Sequence, residues 1–226
     1  MSYFMRVFTP VILVLCLATA CKKEYSYEGT PETPTADTVK TPEVVYDYAP
    51  YTKGSTYNYR YKTQTATYYY TLTVTGDTVL QGETYAVLTD GYNLQFIRYN
   101  KGGYYLFEPA FTSSTSYHPA AVRPFLYDNY ELNGHWSDTI KATTLAGDPE
   151  TALLDYHIIQ KGTPKTVVGK TYSRVIGVKQ DGYVIAGGKA NSIGTIANYF
   201  YADSTGFIEK DSPTDTIVLL SYDLKN

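Results

Sequence analysis

The sequence is poor in cysteine, methionine and tryptophan, with two, two and one residues of these types among 226. Two cysteines cannot build the multi-bridge framework of small secreted domains. The formal net charge is only −3, so the chain also lacks the basic surface with which proteins bind nucleic acid. The low cysteine content excludes a disulfide scaffold, and the low net charge excludes a nucleic-acid partner. The length of the chain fits one domain or two small ones.

Tyrosine, in contrast, occurs 26 times and supplies most of the aromatic residues, and it favours strands. Tyr57, Tyr59 and Tyr61 alternate with polar residues, and residues 68–74 continue the same period-two pattern. Similar short segments recur to the end of the chain, and only residues 119–127 suggest a short helix. We therefore expect an all-β fold, an antiparallel meander of roughly ten or more strands that forms a barrel or a sandwich.

A weak internal repeat links Gly-Glu-Thr-Tyr at residues 82–85 with Gly-Lys-Thr-Tyr at residues 169–172. It favours two similar halves packed together, because one such sheet alone would leave its apolar face in water. The alternative is that both segments are ordinary hairpin turns. Turn residues also occur at 75–78 and at Gln81-Gly82, and the glycine-rich stretch 182–194 indicates a mobile loop.

The first 20 residues are typical of a secretory signal peptide, with one cation, Arg6, before an apolar run that is too short to span a bilayer comfortably. Residues 17–21 read Leu-Ala-Thr-Ala-Cys and resemble the lipobox of bacterial lipoproteins. This resemblance implies cleavage before Cys21 and attachment of lipid to its thiol. The alternative is an ordinary signal peptide, or an uncleaved anchor, with a coincidental cysteine. Cys16 lies inside the apolar run and would be removed with the signal.

Residues 21–50 combine the lipidated cysteine with four prolines, several Thr and Glu residues and no helical or strand period. Such a composition predicts a disordered tether that holds a single β domain, residues 51–226, away from the membrane. Lys22 follows Cys21, where lipoproteins of the enterobacterial type that stay in the inner membrane carry Asp. The outer membrane is therefore the expected location, with its periplasmic and surface faces both left open.

Several features together resemble a group of uncharacterised Bacteroidota lipoproteins with Tyr- and Thr-rich β domains. They are the lipobox cysteine, the Pro/Thr tether, the tyrosines of residues 51–61, the Thr-Val-Thr-Gly-Asp-Thr stretch and the closing Tyr-Phe-Tyr and Gly-Phe-Ile-Glu segments. The resemblance implies a fold class and a compartment. It brings no catalytic residue with it.

No motif for a cofactor or a metal is present. Residues 162–171 end in Gly-Lys-Thr like a phosphate-binding loop, but the glycine spacing is wrong and Pro164 removes a backbone donor. His118, His135 and His157 lack the spacing of a zinc site. A structural or surface role is the simpler interpretation of all three histidines, and we expect neither a cofactor nor a metal.

Two further groups of residues leave alternatives open. Trp136, the single tryptophan, is interpreted as a core anchor, with a carbohydrate-stacking platform as the alternative. Asp128, Glu131 and Asp138 are interpreted as solvated acids, although carboxylates that pair in space could serve glycoside hydrolysis. The resulting hypothesis is a non-enzymatic lipoprotein whose domain binds a ligand, either a polysaccharide or an apolar small molecule, or supports the envelope. The alternative is a glycan-acting enzyme.

Overall fold

Alternating Tyr, Thr and aliphatic residues form strands along nearly the whole of the described chain. The computed structural model describes residues 47–225, so the signal peptide, Cys21 and most of the predicted tether lie outside the described residues. No helix able to cross a membrane occurs within that part of the chain. Its 14 strands are β1 Thr56–Thr63, β2 Thr67–Leu80, β3 Glu83–Thr89, β4 Leu94–Asn100, β5 Gly103–Glu108, β6 Phe111–Thr112, β7 Ser116–His118, β8 Ala121–Tyr127, β9 His135–Thr144, β10 Pro149–Val167, β11 Lys170–Ala186, β12 Lys189–Ala202, β13 Gly206–Asp211 and β14 Asp215–Asp223.

All 14 strands belong to one antiparallel sheet, in the order β6-β7-β9-β10-β11-β12-β13-β14-β1-β2-β3-β4-β5-β8. The prediction of an all-β meander with ten or more strands is therefore confirmed. Strands that follow one another along the chain pair directly, except between β5 and β9, where the β6–β7 hairpin joins β9 and β8 returns to β5. The first and last strands, β1 and β14, pair in the middle of the sheet.

The sheet curls on itself, because strands that are far apart in its order share one core. The first of two clusters joins β1–β4 to β10–β14, and the second joins β5 and β8 to β9–β12. The backbone ladder does not close within the described residues, since β6 and β8 each have a single neighbour. The architecture is thus a barrel-like roll with an open seam. The face of the sheet that carries these two clusters is called the inner face, and the opposite face is the outer face.

Tyrosine rings fill much of the inner face, and several of their hydroxyl groups form hydrogen bonds within it. The hydroxyl of Tyr59 donates to the carbonyl of Phe207 at 2.9 Å, and the hydroxyl of Tyr156 accepts from the amide of Gln180 at 2.9 Å. Burial raises the pKa of Tyr59 well above its ordinary value. A buried phenol needs such a partner to offset the loss of water. The abundance of Tyr therefore gives a core that is large, aromatic and internally hydrogen-bonded.

The folded unit includes residues 47–50, which precede the boundary expected at residue 51. Tyr48 is only 3% exposed and belongs to the second core cluster. Its backbone N–H donates to the hydroxyl of Tyr104 at 3.2 Å, and the N–H of Asp47 donates to Asp203 at 3.0 Å. Composition placed Tyr48 in the tether because the stretch up to residue 50 contains four prolines and few aliphatic residues, and it missed one buried aromatic anchor.

The helix suggested for residues 119–127 is wrong. Residues Ala121–Tyr127 form strand β8, which pairs with β5 on one side only. Pro124 has no N–H with which to donate to a ladder, and it is tolerated because β8 is an edge strand. Edge position, which the sequence does not reveal, therefore decided the structure of this segment.

Two predicted interruptions also lie within strands. Residues 75–78 do not form a turn, because β2 continues through them with a register shift between Val74 and Gly76. The stretch 182–194 is not a loop, since β11 runs to Ala186 and β12 starts at Lys189. Only the pair Gly187-Gly188 connects these two strands. The polar and glycine residues that suggested breaks between strands lie instead within long strands that contain bulges.

The two halves of the internal repeat adopt the same kind of hairpin turn. Gln81 and Gly82 have φ angles of 53° and 81°, and Val168 and Gly169 have φ angles of 48° and 78°. Positive φ at both central residues is the requirement of a two-residue hairpin turn of the type I′ kind. The turn predicted at Gln81-Gly82 is confirmed. The repeated motif therefore corresponds to two equivalent turns, each opening a strand.

Replacement of Tyr48 by Ala should lower the free energy of unfolding by about 3 kcal/mol, since it removes a buried aromatic ring and leaves a cavity. Urea denaturation followed by far-UV circular dichroism measures the change. The matched variant Tyr92→Ala truncates a ring that is 87% exposed, and it should shift stability by less than about 0.5 kcal/mol. Equal effects of the two variants would contradict a folded unit that includes Tyr48.

Candidate functional site

The open seam between β8 and β9 is bridged by charged side chains rather than by a backbone ladder. Arg123 on β8 forms ion pairs with Glu108 on β5 and, at 2.6 Å, with Asp138 on β9. The side chain of Arg123 is 12% exposed. Arg123 is the register partner of Leu106, whose side chain packs on the first core cluster, so the ion pairs lie on the inner face. One cation thus joins the two sides of the seam.

Trp136 on β9 provides a second bridge across the seam. Its indole N–H donates to the carbonyl of Pro124 on β8 at 3.3 Å. Its ring stacks on Tyr156, with centroids 5.1 Å apart and planes 4° apart, and contacts the edge of Tyr127. The residue is 7% exposed. The structure gives Trp136 the core position that the sequence favoured, and a sugar stacked on this ring would have to displace Tyr156.

His118 lies on β7 beside the same charged groups and is 4% exposed. Its Nε2 atom has no hydrogen-bond partner among the described residues, and its ring stacks on Phe111 at 4.4 Å. Burial lowers the pKa of His118, and the charge of Arg123 lowers it further, whereas Glu150 and Glu108 oppose the shift. The imidazole is therefore neutral at pH 7.

The carboxylates of this seam cluster, Glu108, Asp138 and Glu150, each have a partner. Arg123 binds the first two, and the hydroxyl of Ser116 donates to Glu150 at 2.6 Å. The arrangement is suited to holding together the strands on the two sides of the seam.

The three acids proposed from sequence serve separate contacts. Asp128 accepts a hydrogen bond from the hydroxyl of Tyr104 at 3.0 Å, in the loop after β8. Glu131 is exposed in that loop, and Asp138 is bound by Arg123 on β9. Sequence reasoning identified Asp138 and missed Arg123. The sequence did contain a signal for Arg123, which is the single charged residue, followed by proline, in the apolar segment Ala-Val-Arg-Pro-Phe-Leu-Tyr.

The structure brings His135 and His157 together although 22 positions separate them in the chain. They are register partners on β9 and β10, and their ring centroids lie 5.9 Å apart. Nε2 of His157 is 3.0 Å from a carboxylate oxygen of Asp155. Among residues 47–225 no group of three or more His, Cys, Asp and Glu side chains could hold a metal ion.

The stretch with the Gly-Lys-Thr ending lies in strands on both sides of a turn, β10 up to Val167 and β11 from Lys170. A phosphate-binding loop would place a helix N-terminus there. The described chain has a hairpin at this position, as the sequence favoured.

An open hollow of about 210 Å³ lies between the N-terminal segment and strands β2–β4. Ala49 and Tyr51 form one wall, and Thr84, Ile97 and Tyr99 contribute to the other. Binding sites for small apolar ligands are commonly larger and enclose most of the ligand. This hollow is smaller than such sites commonly are.

Comparisons with known proteins place the chain in no family, because no family model and no curated protein matches it. A candidate lipoprotein from Parabacteroides distasonis has a solved structure that is similar over 79% of this chain and 99% of that chain, with 11% identity and a TM-score of 0.48. The hypothetical lipoprotein YmcC from Escherichia coli is similar over 74% of this chain and 83% of that chain, with 8% identity and a TM-score of 0.38. Likeness at this level assigns no activity to the chain.

Replacement of Arg123 by Met should lower the free energy of unfolding by about 2 kcal/mol, because Glu108 and Asp138 would lose their shared cation. A fully buried pair typically costs about 3–5 kcal/mol to break, and the 30% exposure of the Glu108 side chain reduces the effect. Urea denaturation followed through the fluorescence of Trp136 reports directly on the seam.

The matched control for this variant is Arg60→Met on β1. Arg60 forms no ion pair within the described part of the chain, so its replacement should change stability by less than about 0.5 kcal/mol. A loss in Arg60→Met as large as that in Arg123→Met would show that the seam ion pairs contribute nothing specific.

The lowered pKa of His118 predicts a loss of stability in acid. The unfolded chain takes up a proton on this residue at about pH 6.5, whereas the folded chain takes it up only at lower pH. The free energy of unfolding should therefore fall as the pH decreases from about 6.5 toward 5. His118→Phe retains the stack on Phe111 and should show a smaller fall over this range, measured by urea denaturation at each pH.

The control for the pH experiment is His135→Phe, which removes an exposed histidine from the outer face. This variant should retain the pH dependence of the unmodified protein. If it flattened the dependence as much as His118→Phe does, the buried histidine would not be the responsible group.

Proposed function

We propose that this protein is an outer-membrane lipoprotein, anchored through acylated Cys21, whose β domain has a non-enzymatic binding role at the cell envelope. The observation that carries the proposal is the lipobox cysteine, located shortly before a folded domain whose first described residues are fixed in place. Twenty-six positions separate Cys21 from Asp47. A fully extended chain of that length reaches about 85 Å, which is enough to hold a domain clear of a bilayer surface.

The first residues of the domain are attached firmly enough to carry such a tether. Asp47 lies at the turn between β12 and β13, where its carbonyl accepts from the N–H of Ser204 at 2.7 Å. The side chain of Asp47 accepts from the N–H of Ala49 at 2.8 Å, and the hydroxyl of Tyr57 donates to the carbonyl of Pro50 at 2.9 Å. The tether therefore enters at one end of the strands and leaves the opposite end free for contacts away from the membrane.

A non-enzymatic role is supported by the engagement of the ionisable groups in the seam. Arg123 holds Glu108 and Asp138, and Ser116 binds Glu150. An acid–base pair for glycan hydrolysis would need one carboxyl group that retains its proton and an open cleft between the pair. A binding role makes no such demand, because it needs only a preorganised surface.

A polar ligand fits the domain better than an apolar one. Tyrosine side chains and their hydrogen bonds occupy the inner face, and Tyr69, Tyr92 and Tyr99 are exposed on the surface. Exposed rings with a polar edge suit contact with sugars or proteins, whereas an apolar small molecule requires an enclosed apolar cavity. We therefore favour a polysaccharide over an apolar small molecule.

Substitution of Cys21 by Ser should abolish lipid attachment, because a hydroxyl does not replace the thiol that accepts the lipid. Cells labelled with radioactive palmitate should yield labelled unmodified protein and an unlabelled Cys21→Ser variant, which should leave the membrane fraction. The matched control Cys16→Ser changes the other cysteine and should retain the label. Unchanged labelling of Cys21→Ser would refute the anchor.

Location is tested separately by separating the two membranes on a density gradient. The acylated protein should sediment with outer-membrane markers. Recovery in the inner membrane would contradict the location and leave the acylation intact, so the two parts of the proposal can fail independently.

A further inference from the structure

A continuous polar strip crosses five neighbouring strands on the outer face, the face opposite the core clusters. Register pairing aligns one residue from each of β9, β10, β11, β12 and β13 in a single row. The members of this polar strip are His135, His157, Lys179, Asn198 and Asp211. Neighbouring strands lie about 4.8 Å apart, so the strip is about 19 Å long.

The next row along the strands holds the side chains of the strip in place. Asp155 accepts from the hydroxyl of Ser137 at 3.1 Å and is 3.0 Å from Nε2 of His157. Asp181 accepts from the hydroxyl of Thr195 at 2.7 Å and forms an ion pair with Lys179 at 2.8 Å. The hydrogen bonds with Lys179 and Thr195 lower the pKa of Asp181 despite its partial burial. These contacts fix the side chains of His157 and Lys179 before any ligand arrives.

One end of the strip opens into a shallow groove of about 510 Å³. Lys179, Thr195, Asn198 and Asp211 line it, and the turn between β13 and β14 forms its rim through Ser212 and Pro213. The hydroxyl of Ser212 donates to the carbonyl of Asp215 and accepts from its N–H, both at 3.0 Å, so the rim is an ordered turn. The volume lies in the range of small-molecule sites.

The groove presents complementary polar groups at its centre. Asn198 and Asp211 face each other as register partners, and neither side chain has a hydrogen-bond or ion-pair partner within residues 47–225. The carboxylate only accepts hydrogen bonds, while the amide both donates and accepts. A hydroxyl group both donates and accepts, so a pair of neighbouring hydroxyls matches this pair of side chains.

The charges of the strip disfavour an anionic ligand. Lys179 is neutralised by Asp181, and Asp211 remains as an acceptor that would repel an anion. The large apolar anchors that mark a protein interface do not line the groove. The stacked rings of His135 and His157 offer an apolar face at the other end of the strip.

We infer that the polar strip binds a neutral linear oligosaccharide that lies across the strands. Asn198 and Asp211 form hydrogen bonds with adjacent hydroxyl groups of one sugar unit. The inference rests on the binding role proposed above and names its ligand class and its site. A polyanionic sugar and a protein are the competing occupants.

Titration calorimetry of the full-length protein in detergent micelles tests the inference. The probes are linear hexasaccharides of β-1,4-glucan, β-1,4-xylan, α-1,4-glucan and β-1,3-glucan, with a hexamer of galacturonate as the anionic competitor. At least one neutral hexasaccharide should bind saturably. The double variant Asn198→Val/Asp211→Val should bind it at least about tenfold more weakly, because valine neither donates nor accepts hydrogen bonds and is compatible with a strand.

The matched control is Asn191→Val, which removes an exposed amide from the same strand outside the strip and should leave affinity unchanged. Thermal melting of all variants verifies folding. The inference is overturned if no neutral hexasaccharide binds the folded protein, if the double variant binds as well as the unmodified chain, or if the galacturonate hexamer binds best. Binding by an unacylated Cys21→Ser chain would support the strip even if the anchor proposal failed.

Discussion

The structure depends on the closure of one seam by side chains. Fourteen strands roll up, yet β8 and β9 meet without a backbone ladder, and Arg123 and Trp136 span the join. The core behind the seam can exclude water only if these contacts hold, because each cluster draws residues from strands that are distant in the sheet. Ion pairs suit this position since the guanidinium reaches both sides, and its two carboxylates remain partly hydrated.

Tyrosine allows such a core to exist without disulfides. A ring such as that of Tyr59 or Tyr156 adds large apolar area, while its hydroxyl reaches a carbonyl or amide on a neighbouring strand. The inner face is therefore held by packing and by hydrogen bonds directed along fixed lines. The outer face does not have to pack a core. It can therefore carry rows of polar side chains, which the register of the strands aligns.

The sequence predicted what depends on neighbours along the chain and missed what depends on neighbours across the sheet. Alternation of Tyr57, Tyr59 and Tyr61 identified strands, and Gln81-Gly82 identified a turn, because period and turn chemistry are local. The helix suggested for residues 119–127 was wrong because edge position is a property of the sheet. The row that brings His135 beside His157 was invisible for the same reason, since register pairs residues 22 positions apart.

The pairing of β1 with β14 gives the domain an unusual order of assembly. Tyr57 lies against Tyr222, so the two halves of the sheet join through strands at opposite ends of the chain. Contacts of such sequence separation carry a high entropic cost and slow the folding of a chain. During synthesis from the N-terminus, the hairpins of each half of the sheet can form as they are completed. The two halves cannot be joined until β14 has been made, so the fold is completed only after nearly all of the described chain is available.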